Sequence, residues 1–186
     1  YFKMDGAVKT IGKDLKNKDQ VTIYSDIAEF WNLTKLAHFY QNTKGQITFK
    51  KTYRSPINFT ANKIILNFID SHIKLIENVF VEQNQMKSWS LKGDIFLENS
   101  NNKLRYYTLY DDVRLVERLT VNKSILERKA FAEKLEGFAL DDKIILTGYP
   151  KVIQDKDVIK GNIIQIYQQN EVVEVIDNDS SFLLKD

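Results

Sequence analysis

The 186 residues suffice for one domain or two small ones sharing a core, and 43% hydrophobic, 12% aromatic and 28% charged residues with only 7 glycines and 2 prolines exclude disordered, collagen-like and linker-rich chains. Residues 1–20 carry 5 lysines against 3 aspartates and so the whole net charge of +2, while the remainder balances 22 against 22; with no basic stripe to neutralise phosphates, nucleic acid is not an expected partner. The absence of cysteine removes disulfides, thiolate metal sites and a cysteine nucleophile, and no run reaches the roughly 18 apolar residues of a membrane span.

Residues 1–20 read as a solvated, partly disordered lead-in, whose lysines between Lys9 and Lys18 face water or anionic headgroups. A short helix over residues 2–16 is the other local reading, weakened by Gly6 and Gly12. Residues 21–186 form the domain proper. There Ile64, Leu66 and Phe68, then Ile73 and Leu75, Ile144 and Leu146, and Ile164 and Ile166 alternate at the period of strands. Polar clusters at Asp70-Ser71, residues 99–102, Asp141-Asp142 and residues 168–170 separate them as hairpin tips.

A small residue followed by a polar one recurs at Ala28-Glu29, Ala61-Asn62, Gly93-Asp94, Ala132-Glu133 and Gly161-Asn162, spaced by 33, 32, 39 and 29 residues. In the last four units a strand, a polar turn and a second strand follow, so each unit is a hairpin. Residues 124–135 conflict with this scheme: Ser124 and Glu127 have capping-box spacing and Gly137 sits where a helix would end, whereas the repeat register demands a strand. The register is favoured, because tertiary context overrides local propensity.

Asp142-Lys143-Ile144-Ile145-Leu146-Thr147-Gly148 and Val158-Ile159-Lys160-Gly161-Asn162 resemble the OstA-like family of lipopolysaccharide-transport proteins, which includes LptA and LptC. Ser25-Asp26-Ile27-Ala28-Glu29 and Ala61-Asn62-Lys63-Ile64 are similar to the family's opening and its second strand, whereas Glu77-Asn78 stands where the family has Thr-Gly. The resemblance covers residues 21–184. It implies an all-β fold, a single V-shaped β-jelly roll of stacked antiparallel hairpins with an apolar interior that shelters acyl chains. It further implies a periplasmic place, either as a free LptA-like bridge between the membranes or as an LptC-like component tethered to the inner membrane by a segment upstream of Tyr1. The implied partners are lipopolysaccharide or its lipid A part, other OstA-like components at both sheet edges, and further copies of the chain stacked head to tail.

On this reading the acyl chains contact Trp31, Leu33, Ile64, Leu66, Phe68, Ile73, Leu75, Phe96, Leu104, Tyr106, Ile144, Leu146, Ile164 and Ile166, and the self-association edges are Val21 and Ile23 at one end and Phe182 and Leu183 at the other. A structural β-repeat scaffold with an ordinary closed core is the rival reading. Catalytic chemistry is not expected. His38 and His72 lack companions for a metal site, Asp111-Asp112 and Asp141-Asp142 suit solvated turns, and Ser88, Ser90, Ser180 and Ser181 sit in no nucleophile elbow; no metal or cofactor is called for.

Overall fold

Alternation of apolar and polar residues carries the chain through sixteen antiparallel strands with no helix among the described residues, and the computed structural model describes residues 1–13, 20–49, 55–97, 104–121, 124–138, 143–167, 172–176 and 182–183. The strands are β1 (Phe2–Lys13), β2 (Gln20–Trp31), β3 (Leu36–Tyr40), β4 (Lys44–Thr48), β5 (Ile57–Thr60), β6 (Lys63–Asn67), β7 (His72–Gln83) and β8 (Met86–Leu97). They continue as β9 (Leu104–Val121), β10 (Ser124–Phe138), β11 (Lys143–Thr147), β12 (Lys151–Gln154), β13 (Asp157–Lys160), β14 (Ile163–Tyr167), β15 (Val173–Val175) and β16 (Phe182–Leu183). The turn expected at Asp70-Ser71 joins β6 to β7. Those expected at 99–102, 141–142 and 168–170 lie outside the described residues.

One continuous sheet is folded along a crease into two layers. Each long strand belongs to both: residues 72–76 of β7 pair with β6 while residues 80–83 pair with β5, and residues 134–138 of β10 pair with β11 while residues 128–131 pair with β12. The first layer thus holds β3, β6, β11, β14 and β15 with the matching halves of the long strands, and the second holds β4, β5, β12, β13 and β16 with the others. At the crease, strands passing from the first layer to the second adopt left-handed pairs: Gln41-Asn42 (φ 58 and 51), Glu77-Asn78 (61 and 50), Asp111-Asp112 (63 and 52) and Gly148-Tyr149 (76 and 52). Asn and Asp tolerate this conformation better than most residues, so Glu77-Asn78 can replace Thr-Gly without loss of the bend. Backbone bonds Asp26 N to Gln41 O (3.1 Å), Asn62 N to Glu77 O (2.9 Å) and Glu133 N to Gly148 O (3.1 Å) stitch each bend to its neighbour.

The recurring small residues have a steric cause. Ala28 and Ala61 are buried on the inner face beside the crease, and a Cβ added at Gly93 would lie 2.9 Å from Cδ2 of its ladder partner Leu109. Farther out the inner faces carry Ile, Leu, Val and Phe, which pack into one hydrophobic core that spans both layers.

Three expectations are corrected here. The lead-in is instead largely strand: β1 pairs with β2 from Phe2↔Phe30 to Lys13↔Gln20, bending at Gly6 (φ 109). An edge strand needs only one apolar flank, and Val8 supplies buried surface amid lysines. The same pairing rules out a helix over residues 2–13, the described part of the 2–16 span. It also moves the N-terminal edge: Val21 and Ile23 lie in β2, flanked by β1 on one side and β4 on the other, so β1 is the edge. Residues 124–138 are strand β10, with its propensity for helix overridden by pairing on both flanks.

Gly45 lies opposite Phe59 in the ladder, and a Cβ there would be 2.0 Å from the buried ring. Gly45→Ala is therefore expected to cost about 1–3 kcal/mol in urea unfolding. Gly12→Ala, whose Cβ would meet nothing nearer than Val21 O at 3.9 Å, is expected to leave the midpoint unchanged.

Candidate binding site between the two layers

The inner faces of both layers form an extended apolar surface. Ile64, Leu66, Ile73, Leu75, Ile144, Leu146, Ile164 and Ile166 all point there and are buried. Of the remaining expected lining residues, Trp31, Leu33, Phe96 and Tyr106 do not, and Phe68 reaches only the mouth between the layers. Trp31, Phe96 and Tyr106 lie on the outer face of the first layer, as their contacts with His38, His72 and Phe138 establish. Leu33 is 97% exposed in the β2–β3 turn and Phe68 48% exposed beyond β6. The cause is a phase ambiguity: β8 and β9 carry apolar residues on both faces, and the inward set is Ile95, Leu97, Tyr107 and Leu109. Leu104 pairs with Leu97 through its backbone, and its side chain lies outside the described residues.

Among the described residues the interior is filled rather than open, and layer packs directly on layer. A cavity of about 150 Å³ remains at the mouth opposite the crease, lined by Thr10, Gly12, Val21 and Ile23 from the second layer and by Leu66, Phe68 and Leu97 from the first. At the N-terminal end Phe2 stacks on Phe30 (centroids 4.7 Å apart) and stays half exposed, as does Met4. At the other end Val173 and Val175 pack against the core beside exposed Val172 and Ile176. β16 has β13 as its only partner among the described residues; the side chains of Phe182 and Leu183 lie outside them.

A buried ion pair interrupts the apolar lining. Arg128 in β10 and Glu117 in β9 are cross-strand partners on the inner face, joined Nη1 to Oε2 at 2.9 Å with side chains 0% and 5% exposed. Arg128 Nε also donates to Gln154 Oε1 at 2.9 Å. Reading 124–138 as a strand exposes this signal in the sequence, since Arg128 then shares the parity of buried Ala130, and Glu117 that of buried Leu115 and Leu119. The Asp111-Asp112 pair instead occupies the crease, held by Lys92 and Arg114 at 2.8 Å each, as solvated ion pairs.

Outside the first layer an aromatic row runs across the strands: His72, Phe96 and Tyr106 stack at 4.6 and 4.5 Å, Phe138 follows at 6.3 Å, and Lys143 Nζ lies 5.3 Å above Phe138. His38 packs similarly on Trp31 (4.4 Å) with Nδ1 3.1 Å from Tyr40 Oη. Among the described residues no three His, Asp or Glu side chains gather as a metal site.

This architecture is similar to a solved structure, that of LptH, the LptA-homologous periplasmic component of the lipopolysaccharide transport device from Pseudomonas aeruginosa, with a TM-score of 0.62. The chain has the LptA-like β-jelly-roll fold. Sequence identity is 15%, and the match covers 71% of this chain and 96% of that one. No protein-family model and no curated protein matches the sequence.

A buried pair loses more when one partner is removed than when both are replaced. Glu117→Leu alone is expected to cost about 3–5 kcal/mol in urea unfolding, whereas Glu117→Leu with Arg128→Met is expected to be neutral or stabilising. For His38, burial and then Lys63 lower the pKa, with Glu29 opposing. The unfolded chain therefore binds the proton more readily, so the contribution to stability is complete above the unfolded value of about 6.5 and is lost as pH falls below it. His38→Gln is expected to lose less of its urea midpoint than the parent between about pH 7.5 and about pH 5.

Proposed function

We propose that this chain is a non-enzymatic lipopolysaccharide carrier of the LptA type, which holds acyl chains between its two layers in the periplasm. The observation that carries the reading is the inner surface itself, aliphatic from the β1 end to the β15 end and shared by both layers of an LptA-like fold. Apolar area is worth roughly 25 cal/mol per Å² when withdrawn from water. An acyl chain entering between the layers exchanges protein contact for lipid contact, so the exchange leaves little apolar surface wet.

The ends fit continuation from chain to chain. Among the described residues β1 presents an unpaired edge with Phe2 and Met4 beside it, and β15 and β16 terminate the two layers at the other end. Strand addition between unlike edges is a heterologous contact and builds open arrays. An LptC-like role with a membrane tether would use the same interior and edges. The filled interior is the specific observation that favours the rival reading, a closed structural scaffold.

A photo-crosslinking residue at Leu66 or Ile144 is expected to capture lipopolysaccharide in cells, and one at Lys63 or Lys143, which lie over outer-face rings, is not. Equal capture from both faces, or from neither, would sink the carrier reading, and failure of the purified chain to take up a fluorescent acyl probe would favour the scaffold. Sedimentation over a hundredfold concentration range is expected to give growing oligomers, reduced by Leu183→Pro, which removes an edge donor.

A further inference from the structure

Two hydroxyls in the interior, Tyr107 Oη and Ser88 Oγ, have no hydrogen-bond partner among the described residues although their side chains are buried, at 1% and 0% exposure. Nearly all buried polar groups are paired, so such an orphan requires a cause. The fold brings both toward the Glu117–Arg128 pair. Tyr107 and Glu117 stand on the same strand on either side of the Asp111-Asp112 bend, close enough for the Glu117 charge to act on the phenol. Burial and then the Glu117 charge raise the phenol's pKa, so it stays a donor. Gly137 is Tyr107's ladder partner, and a Cβ there would lie 2.2 Å from Cζ and 2.6 Å from Oη, so the glycine is what leaves room for the ring. Ser88 pairs with Leu115 on the same inner face, two residues along the ladder from the Met86↔Glu117 pair.

We propose that Tyr107, with Ser88 and the Glu117–Arg128–Gln154 group around it, forms a polar subsite for a neutral oxygen carried on an acyl chain, a hydroxyl or an ester carbonyl. The inference rests on the reading of the interior as an acyl site. Charge selects the ligand class: Arg128 is already neutralised by Glu117 at 2.9 Å, so a phosphate would bring an uncompensated charge into a dry space. A neutral oxygen brings none, accepts from Tyr107 Oη, and leaves neither group unpaired. A plain alkyl chain in the same place keeps the phenol orphaned. Sites built to hydrogen-bond a ligand discriminate against analogues that lack the group for this reason.

The test is competition on the full 186-residue chain between a bound fluorescent acyl probe and three chains of equal length: myristate, β-hydroxymyristate and β-acetoxymyristate. The oxygen-bearing chains are expected to displace the probe at roughly 3- to 10-fold lower concentration than myristate, the worth of one net hydrogen bond. A gain shared by both identifies Tyr107 as donor to either oxygen, and a gain confined to the hydroxylated chain identifies the hydroxyl as the group bound. Tyr107→Phe keeps the ring over Gly137 and removes only the orphan, so it is expected to fold and to abolish the preference. Equal displacement by all three chains, or a preference that survives Tyr107→Phe, overturns the subsite and leaves the acyl reading standing. Failure of every chain and of the probe to bind overturns both.

Discussion

The bend shared by successive strands is the constraint on which the molecule depends. A single sheet this long cannot bury its apolar face alone; doubling it over along one line lets each half cover the other. That line forces two choices of residue. Strands crossing it in one direction need left-handed backbone, which Gln41-Asn42, Glu77-Asn78, Asp111-Asp112 and Gly148-Tyr149 adopt. The inner positions beside it hold small residues: Ala28 and Ala61 are buried there, and at Gly93 even a Cβ would press on Leu109. The aliphatic interior and the spacing of hairpins follow from where this line falls.

The interior is uniform in shape but not in polarity. Leu, Ile and Val dominate it, yet one guanidinium and one carboxylate meet there away from water. Such a pair adds little to stability when compared with a packed apolar substitute. Its presence sets apart one region of the interior, the same region in which Tyr107 is held over Gly137.

The inner-facing half of the candidate site was legible from alternation alone wherever one face is apolar and the other is not. Ile64, Leu66, Ile73, Leu75, Ile144, Leu146, Ile164 and Ile166 are such positions. Alternation has no answer where both faces are apolar, as around Phe96 and Tyr106, whose rings stack on the outside. It also fails past strand ends, where Leu33 and Phe68 emerge. The repeat of small-polar pairs marked the hairpins before any pairing was known and correctly outweighed the helical propensity of residues 124–135. Charge density concealed β1, because the lysines of residues 1–20 read as solvated chain, whereas an edge strand can carry charges such as Lys3 and Lys9 outward. Arg128 and Glu117 were hidden by the same expectation, that charge means solvent.

The hydrogen-bond ladders run along the array within each layer, from β1 toward β15 in one and toward β16 in the other, and the pairings across strands stay within their own layer. What joins layer to layer is side-chain packing and the covalent chain at the crease. Spreading the two walls like the covers of a book thus leaves the ladder bonds in place and exchanges only non-directional contacts, whose loss a guest of similar polarity makes good. Mechanical compliance is therefore anisotropic: stiff along the spine, where peeling one strand from its neighbour breaks a row of bonds, and soft across the mouth.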